Sequence, residues 1–407
     1  MWSSGIPARS DPPESPQPFV ERQLGEHRAR WLSTIDEAYI EMERCIDSAT
    51  QIIRFESYLM REDGPATWMR AALLRARERG VEVRMMIDAF GSEQVRDAFL
   101  QPLREAGVQL EIFNPKRLLR LTFRNHRKLL TVDGERAVLG GFNIAPEYAG
   151  DGVQRGWCDT AMIIRGPVVQ DLERSFDTVY HLAPFTAKSL RWFRRLGRLA
   201  VGRGALPRPG RRSDVPDVSV LLSGPGMPRG ALRQWLRHDL RHGNQIDIAS
   251  GYFLPELSVR KLLYRARRRG RVRVLLAGRS DVPLAKHAAE RLYRRLLRRR
   301  IELFEYQPQI LHAKLMIADD ILYVGSCNLD RRSLRINYEL VLRLQWPELA
   351  ADARCWFEQS LQHAQAVDRR SWAKGRTFLR SLWSRFAYLL LARVDPLLAR
   401  RRFRAIS

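Results

Sequence analysis

The spacing of apolar and polar residues divides the first half of the chain into alternating helices and strands. Helical spacing covers residues 27–46 and 67–79 and a segment that ends near residue 106. Short β-branched and aromatic runs predict strands over residues 51–59, 81–88 and 108–113. This strand–helix–strand–helix–strand order predicts an α/β lobe with a mixed, mostly parallel sheet and helices on its faces.

The second half of the chain repeats this pattern at an offset of about 190 residues. Residues 51–60 match 245–254, residues 76–80 match 266–270, and residues 108–115 match 301–308. We therefore expect two tandem lobes, related by a pseudo-two-fold axis, with a site in the cleft between them. The predicted domains are a disordered leader (1–22), an N-terminal lobe (23–187), a basic linker (188–214), a C-terminal lobe (215–368) and a tail (369–407).

A short motif that occurs once in each lobe carries the candidate chemistry. His126, Lys128 and Asp133 recur at the same spacing as His312, Lys314 and Asp319. Alternation along a strand places each His and its Lys on the same face. An imidazole beside an ammonium suits an anionic phosphorus centre, because the imidazole can attack phosphorus or carry a proton while the ammonium holds oxygens.

Small residues and an asparagine follow each copy of the motif at the same distance. Gly140-Gly141 precede Asn143, and Gly325-Ser326 precede Asn328. Small residues let a phosphate approach the backbone, and an amide can donate to its oxygens, so Asn143, Asn328 and Ser326 are predicted phosphate ligands. A half-buried histidine on a surface strand would explain one copy equally well, but two copies with matching tails argue against it.

Together these residues resemble the signature of the phospholipase D superfamily, and in this superfamily the bacterial cardiolipin synthases of the B type, which lack N-terminal transmembrane helices. The resemblance covers roughly residues 30 to 365, with the fuller tail in the second copy, at 325–333, and a departure in the first after Asn143. It implies two phospholipase D-like lobes with one active site, a phosphohistidine intermediate on one histidine, and proton transfer by the other.

The resemblance also implies an orienting carboxylate for each histidine on a later strand, at the matching positions Asp159 and Glu339. Asp133 and Asp319 belong to the catalytic motif, yet their place at a strand end favours a turn role. We expect no cofactor, since the two lysines supply the positive charge, and no metal, since the other histidines are dispersed.

The reaction implied by the resemblance is cardiolipin synthesis, in which a phosphatidyl group moves from phosphatidylglycerol or phosphatidylethanolamine onto phosphatidylglycerol. The motif alone leaves open a hydrolase or nuclease of the same superfamily, in which water is the acceptor. A third hypothesis is a non-catalytic basic scaffold that binds anionic surfaces, and the intact residues of both motifs argue against it. The attacking histidine and the oligomeric state do not follow from the sequence.

The net charge of +25 indicates a polyanionic partner, either nucleic acid or an anionic membrane. The tail interleaves arginines with Trp372, Trp383 and Phe386 at helical spacing, which predicts a basic amphipathic helix in a membrane interface. A helix packed on the body is the alternative. A basic and apolar insertion at 116–124 suits either lipid contact or a solvated loop.

The tail favours an anionic phospholipid membrane over nucleic acid, so phospholipids are the expected substrates and we expect no nucleic acid partner. No apolar run approaches the ~20 residues that span a bilayer, and the N-terminus has no signal-peptide pattern. The scattered cysteines suit a reducing compartment. We therefore expect a peripheral protein on the cytoplasmic side of the cell inner membrane.

Overall fold

The computed structural model describes residues 19–115, 123–183, 217–225, 227, 230–374 and 378–395. The predicted leader up to residue 18, the linker at 188–214 and residues 116–122 of the basic insertion lie outside the described residues.

The N-terminal lobe is an eight-stranded mixed sheet flanked by helices. Its strands are β1 (Arg22–Leu24), β2 (His27–Leu32), β3 (Ile52–Ser57), β4 (Glu82–Asp88), β5 (Gln109–Phe113), β6 (Leu129–Val132), β7 (Arg136–Gly140) and β8 (Ala161–Arg165). Its helices are α1 (Ile35–Asp47), α2 (Pro65–Glu78), α3 (Asp97–Glu105) and α4 (Val168–Tyr180). The strand order is β1-β2-β8-β7-β6-β3-β4-β5.

The C-terminal lobe repeats this arrangement. Its strands are β9 (Val218–Ser223), β10 (Gln245–Ser250), β11 (Arg271–Ala277), β12 (Glu302–Tyr306), β13 (Lys314–Ala318), β14 (Ile321–Gly325), β15 (Glu339–Gln345) and β16 (Ala364–Ala366). Its helices are α5 (Ala231–His242), α6 (Leu257–Arg269), α7 (Pro283–Arg298), α8 (Arg331–Arg335) and α9 (Pro347–Gln362), followed by α10 (Arg369–Lys374) and α11 (Phe378–Leu389) in the tail. The strand order is β16-β12-β11-β10-β13-β14-β15-β9. Read from β9, it matches the first sheet read from β2, strand for strand, so that only the edge strands β1 and β16 have no counterpart.

Two details of the predicted fold are wrong. In the first sheet, β3–β4 and β4–β5 are parallel, and the five other pairings are antiparallel, so the sheet is mixed but not mostly parallel. The motif strand begins an antiparallel meander, which periodicity alone does not reveal. Residues 27–32 form strand β2 because they pair with β8, and the predicted helix begins only at Ile35.

The described residues form three hydrophobic clusters. One lies under α1, α2 and α3 in the N-terminal lobe, and another lies under α5, α6 and α7 in the C-terminal lobe. The third joins the two lobes and includes residues of α4 and α9. Helix α4 contacts β9, and helix α9 contacts β2, so each lobe lends a helix to the sheet of the other.

Candidate active site

The first motif brackets β6: His126 and Lys128 come directly before this strand, whose four residues are all buried, and Asp133 comes directly after it. The strand ends in a tight turn in which Asp133 and Gly134 have φ of 54° and 69°, a left-handed pair at the centre of a β-turn that the Glu135 N–H closes on the carbonyl of Val132 at 3.0 Å. The carboxylate of Asp133 accepts hydrogen bonds from the backbone N–H groups of Thr50, Gln51 and Ile52 at 2.8–2.9 Å. Asp133 therefore joins the hairpin to the start of β3.

Asp319 has the same role in the second lobe, with a φ of 50° and with hydrogen bonds from the N–H groups of Asn244 and Gln245. Each aspartate lies seven residues beyond its histidine, about 20 Å along an extended strand. The structure does not bring Asp133 or Asp319 to the histidines, which agrees with the turn role and not with a catalytic one.

His126 is held by the opposite lobe. Its backbone N–H donates to the carbonyl of Tyr338 at 3.0 Å, next to β15. Its Nδ1 lies 3.0 Å from Oε2 of Glu339 and 3.1 Å from the carbonyl of Ser326. Because Nδ1 is engaged by a carboxylate, it carries the proton and Nε2 keeps its lone pair.

His312 mirrors this arrangement with residues of the N-terminal lobe. Its backbone N–H donates to the carbonyl of Cys158 at 2.7 Å, and its Nδ1 lies 2.6 Å from Oδ2 of Asp159. A side chain at Gly141 would place a Cβ 2.2 Å from Oδ1 of Asp159, so this position needs glycine for the carboxylate to fit. The structure thus brings both histidines and both predicted orienting carboxylates together, in crossed pairs.

The two lysines meet in the same buried region. The Lys128 ammonium donates to the carbonyl of His126 at 2.6 Å, and the Lys314 ammonium lies 3.5 Å from Asp159. Burial lowers the pKa of Lys128 well below its ordinary value, and the nearby Lys314 charge lowers it further. Burial also lowers the pKa of Lys314. Two such cations gain stabilisation from an anion, and a phosphodiester supplies one.

Burial lowers the pKa of His126 to about 4, while the Glu339 carboxylate opposes this shift. The pKa of His312 is also lowered by burial, and the Lys314 charge acts in the same direction. Burial thus favours the neutral form of each imidazole, whose Nε2 can attack phosphorus, while its carboxylate favours the protonated form, which can act as an acid.

The predicted phosphate ligands have mixed surroundings. The amide of Asn143 donates to the Tyr148 hydroxyl at 2.7 Å, and its oxygen accepts from the N–H of Leu59. Oδ1 of Asn328 is buried without a hydrogen-bond partner among the described residues. The Ser326 hydroxyl donates to Glu339 and accepts from the N–H of Leu340 at 3.1 Å, an arrangement that orients the carboxylate.

Three tyrosines lie beside the histidines, and the sequence did not identify them as site residues. The Tyr58 ring lies 4.9 Å from that of His126, and the rings of Tyr148 and Tyr252 lie 5.1 and 6.2 Å from that of His312. The Tyr148 hydroxyl is 3.4 Å from Nε2 of His312. Tyr148 belongs to the tail of the first motif, where this chain departs from the pattern of the second.

Among the described residues, no group of three or more His, Cys, Asp or Glu side chains is placed to hold a metal ion.

None of the helices in the described ranges combines the length and the apolar character needed to cross a membrane.

Comparison with protein families identifies one match over most of the chain. The family described as "Cardiolipin synthase, PLD-like domain" matches residues 42–180 and 236–361, one segment in each lobe. Among curated relatives, cardiolipin synthase 1 of Bacillus cereus is 29% identical over 377 residues, which cover 90% of this chain and 72% of the relative. Cardiolipin synthase A of Pseudomonas aeruginosa is 32% identical over 328 residues, which cover 78% of this chain and 64% of the relative.

Solved structures show the same fold. Phosphatidylserine synthase of Haemophilus influenzae superposes with a TM-score of 0.70 at 14% identity, over 94% of this chain and 96% of that one. Polyphosphate kinase of Porphyromonas gingivalis superposes with a TM-score of 0.55 at 14% identity, over 88% of this chain and 52% of that one. At this identity the likeness concerns the fold alone.

Proposed function

The chain belongs to the phospholipase D-like family of the cardiolipin synthases, and on this premise we propose that it is a phosphatidyltransferase that makes cardiolipin. The observation that carries the proposal is the pair of buried histidines, each held at Nδ1 by a carboxylate of the other lobe. Two such imidazoles beside two lysines supply a nucleophile, a proton carrier and positive charge in one cleft.

In the first step, Nε2 of one histidine attacks the phosphorus of a donor phospholipid. The bond from phosphorus to the head-group oxygen breaks, and the other histidine, which enters this step as the imidazolium, gives that oxygen its Nε2 proton. In the second step the same proton carrier takes the proton of a glycerol hydroxyl of phosphatidylglycerol, and the hydroxyl oxygen displaces the histidine nitrogen from phosphorus. The products are cardiolipin and the released alcohol, with both histidines restored.

The remaining site residues have proposed supporting roles. Lys128 and Lys314 stabilise the charge on the non-bridging oxygens in the transition state, and Asn143 and Asn328 can donate to the same oxygens. Asp159 and Glu339 fix the tautomer of the histidines and stabilise each imidazolium as it forms. The names of the relatives support phospholipids as substrates. Phosphatidylglycerol is the proposed acceptor, and phosphatidylglycerol or phosphatidylethanolamine is the proposed donor.

The proposed setting is the surface of an anionic membrane, on the cytoplasmic side of the inner membrane. Helix α11 supports it, because Leu382, Trp383, Phe386 and Leu389 are each about half exposed and share one side of the helix. Large apolar side chains exposed together on a basic protein suit insertion among lipid head groups.

The test is a lipid assay on the purified chain. Vesicles of phosphatidylglycerol, alone and with phosphatidylethanolamine, are incubated with the wild type, His126→Ala and His312→Ala, and the products are identified by mass spectrometry. We expect cardiolipin from the wild type and from neither variant. His242→Ala, an exposed histidine at the end of α5, is the matched control and should keep full activity. Phosphatidic acid as the sole product would mean that water is the acceptor, and no lipid product would refute the proposal.

A further inference from the structure

The two ends of the cleft carry opposite charges next to a tyrosine. At the His126 end, the Arg124 guanidinium lies over the Phe90 ring at 3.8 Å and 3.3 Å from the Tyr58 hydroxyl. The Tyr58 ring in turn lies edge-on to His126, with the Lys128 ammonium 5.1 Å from its centre. At this end a guanidinium therefore faces the tyrosine hydroxyl, with the buried Asp88 carboxylate also close enough to act on the pKa of Tyr58.

At the His312 end the partner of the tyrosine is a carboxylate. The Tyr252 hydroxyl donates to Oδ2 of Asp281 at 2.6 Å, and Asp281 is exposed to solvent. The rings of Tyr252 and Trp157 lie 6.2 and 5.4 Å from that of His312. Asp281 raises the pKa of His312 and of Lys314, against the larger effect of burial, so its charge reaches the reacting groups.

The pseudo-symmetry of the fold does not require this difference. Arg124 and Ile310 occupy equivalent places, since each lies two residues before a motif histidine and each carbonyl accepts an N–H from the other lobe at 2.9 Å. Asp281 follows β11 at the same distance as Ser92 follows β4. The two ends therefore differ in the group that faces the tyrosine hydroxyl, a guanidinium at Tyr58 and a carboxylate at Tyr252.

We propose that Asp281, Tyr252 and Trp157 form a head-group subsite that takes the ammonium of the donor phospholipid at the His312 end of the cleft. A carboxylate beside aromatic rings recognises an ammonium through an ion pair and through attraction to the ring faces. Arg124 repels the same ammonium at the other end, so the head group is excluded there as well as attracted to Asp281. The inference rests on the proposed function and names phosphatidylethanolamine as its preferred donor.

The orientation of the donor follows from this subsite. With the ammonium near Asp281, the head-group oxygen that leaves phosphorus faces His312, which gives it a proton, and His126 attacks from the opposite side. Nε2 of His126 gains the bond to phosphorus, and the electron pair of the broken phosphorus–oxygen bond takes the proton from His312. The Tyr148 hydroxyl lies 3.4 Å from Nε2 of His312, the nitrogen that gives the proton in this orientation.

The decisive variant is Asp281→Asn, which keeps an acceptor for the Tyr252 hydroxyl and removes the charge. Cardiolipin formation is measured on vesicles with a fixed fraction of phosphatidylglycerol, with and without phosphatidylethanolamine, and an isotope label on one lipid identifies the donor. We expect the wild type to prefer the phosphatidylethanolamine donor, and Asp281→Asn to reduce this preference about fivefold to tenfold, as for loss of one partly exposed charge contact. Asp97→Asn, which removes an exposed carboxylate of α3, matches the change in net charge and should leave the preference intact.

A donor preference that is equal in the wild type and in Asp281→Asn would overturn the subsite, while continued cardiolipin synthesis would leave the proposed function standing. The orientation has its own test in a phosphatidyl ester of p-nitrophenol, whose leaving group needs no proton. We expect a burst of p-nitrophenol from His312→Ala and none from His126→Ala. The reverse result would place the head group at the His126 end and refute the inference.

Discussion

At the scale of single residues, the carboxylate partner governs the basicity of each motif histidine. Burial alone would make the His126 imidazole a poor base, since its pKa falls to about 4 even with Glu339 beside it. Glu339 acts against burial in two ways, by its charge and by its contact with Nδ1 at 3.0 Å. The carboxylate therefore keeps Nε2 basic enough for phosphorus chemistry.

Replacing Glu339 by glutamine should lower both the activity and the pKa of His126. The pKa falls further because the charge that raises it is lost, so the acid limb of the kcat/KM profile moves to lower pH. The rate should fall by about 10²- to 10⁴-fold, as when other catalytic imidazoles lose their carboxylate. Initial rates of cardiolipin formation across the pH range give both quantities.

The control is Glu78→Gln, which removes an exposed carboxylate at the end of α2. It should change neither the rate nor the profile. An acid limb that stays in place in Glu339→Gln would show that Glu339 does not set the pKa of His126.

Asp133 should matter for stability and not for chemistry. Asparagine at this position puts an N–H where the backbone of residues 50–52 donates, so we expect Asp133→Asn to lower the free energy of unfolding by about 1–3 kcal/mol. Burial tends to raise the pKa of Asp133, but the backbone donors outweigh it and hold the pKa below its ordinary value. The stabilisation is therefore present above the unfolded pKa near 4 and is lost as the pH falls through the folded pKa.

Denaturant unfolding at pH 7 and at pH 3, beside turnover per folded molecule, measures both effects. The cost of Asp133→Asn should shrink at pH 3, and turnover should stay within about twofold. Lost turnover with unchanged unfolding would assign Asp133 to the chemistry.

The sequence predicted the reacting groups better than their partners. His126 and His312 were identified because their spacing to lysine is a local property of the chain, although β6 and β13 begin only after each histidine. The exchange of Asp159 and Glu339 between the lobes depends on docking, and local spacing cannot show which carboxylate faces which ring. Tyr148 was missed because only the first motif carries a tyrosine at this place.

At the scale of elements, helix α11 has features of both structures predicted for the C-terminal tail, a membrane-interface helix and a helix packed on the body. Ala387 is fully buried and Tyr388 packs against the core of the C-terminal lobe, where the Tyr388 hydroxyl lies 3.3 Å from Arg260. The opposite side leaves Trp383 and Phe386 stacked on each other and about half exposed. The helix is thus docked on the body and still presents an apolar face.

Replacing both Trp383 and Phe386 by serine should weaken binding to anionic vesicles by at least tenfold. Each ring removes apolar area from water when it enters the interface, at about 25 cal/mol per Å². Sedimentation with vesicles of phosphatidylglycerol and phosphatidylcholine measures the partition, and circular dichroism checks the fold. Deleting the tail would be a poorer test, because it would also uncover the core beneath Ala387.

Ile40→Ser is the matched control, because Ile40 is exposed to a similar extent on α1 in the other lobe. It should leave the partition unchanged. Full sedimentation of the double variant would show that other surfaces bind the membrane.

Most elements lie where periodicity put them, and the exceptions have a tertiary cause. The strands predicted at 81–88 and 108–113 are β4 and β5 to within a residue at either end. Residues 27–32 have helical spacing but form β2, since pairing with β8 and burial of Trp31 outweigh the local pattern. Strand directions also depend on pairing, which explains the overestimated parallel content.

At the scale of the whole molecule, the two lobes share one core and one site. Trp31 of β2 meets Trp356 of α9 edge to face at 6.2 Å, and the Trp356 indole donates to the carbonyl of Ser33 at 3.2 Å. Arg22 forms two hydrogen bonds with Asp352 of the same helix at 2.7 and 2.8 Å. Because each lobe also supplies the carboxylate of the other's histidine, the site exists only while the lobes are docked.

This shared core predicts that the two lobes unfold together. A chain of 407 residues with two sheets would ordinarily show separate unfolding transitions. Here neither lobe can unfold without exposing the hydrophobic cluster between them to water. We expect a single calorimetric transition that Trp356→Ala shifts down by several degrees, since loss of a buried tryptophan costs about 3–5 kcal/mol. The exposed Trp383→Ala should leave the transition in place. Loss of activity should follow the same curve as unfolding, because the crossed histidine–carboxylate pairs separate when the interface opens. A first transition that removes activity while about half of the unfolding enthalpy remains would show that the lobes are independent folding units.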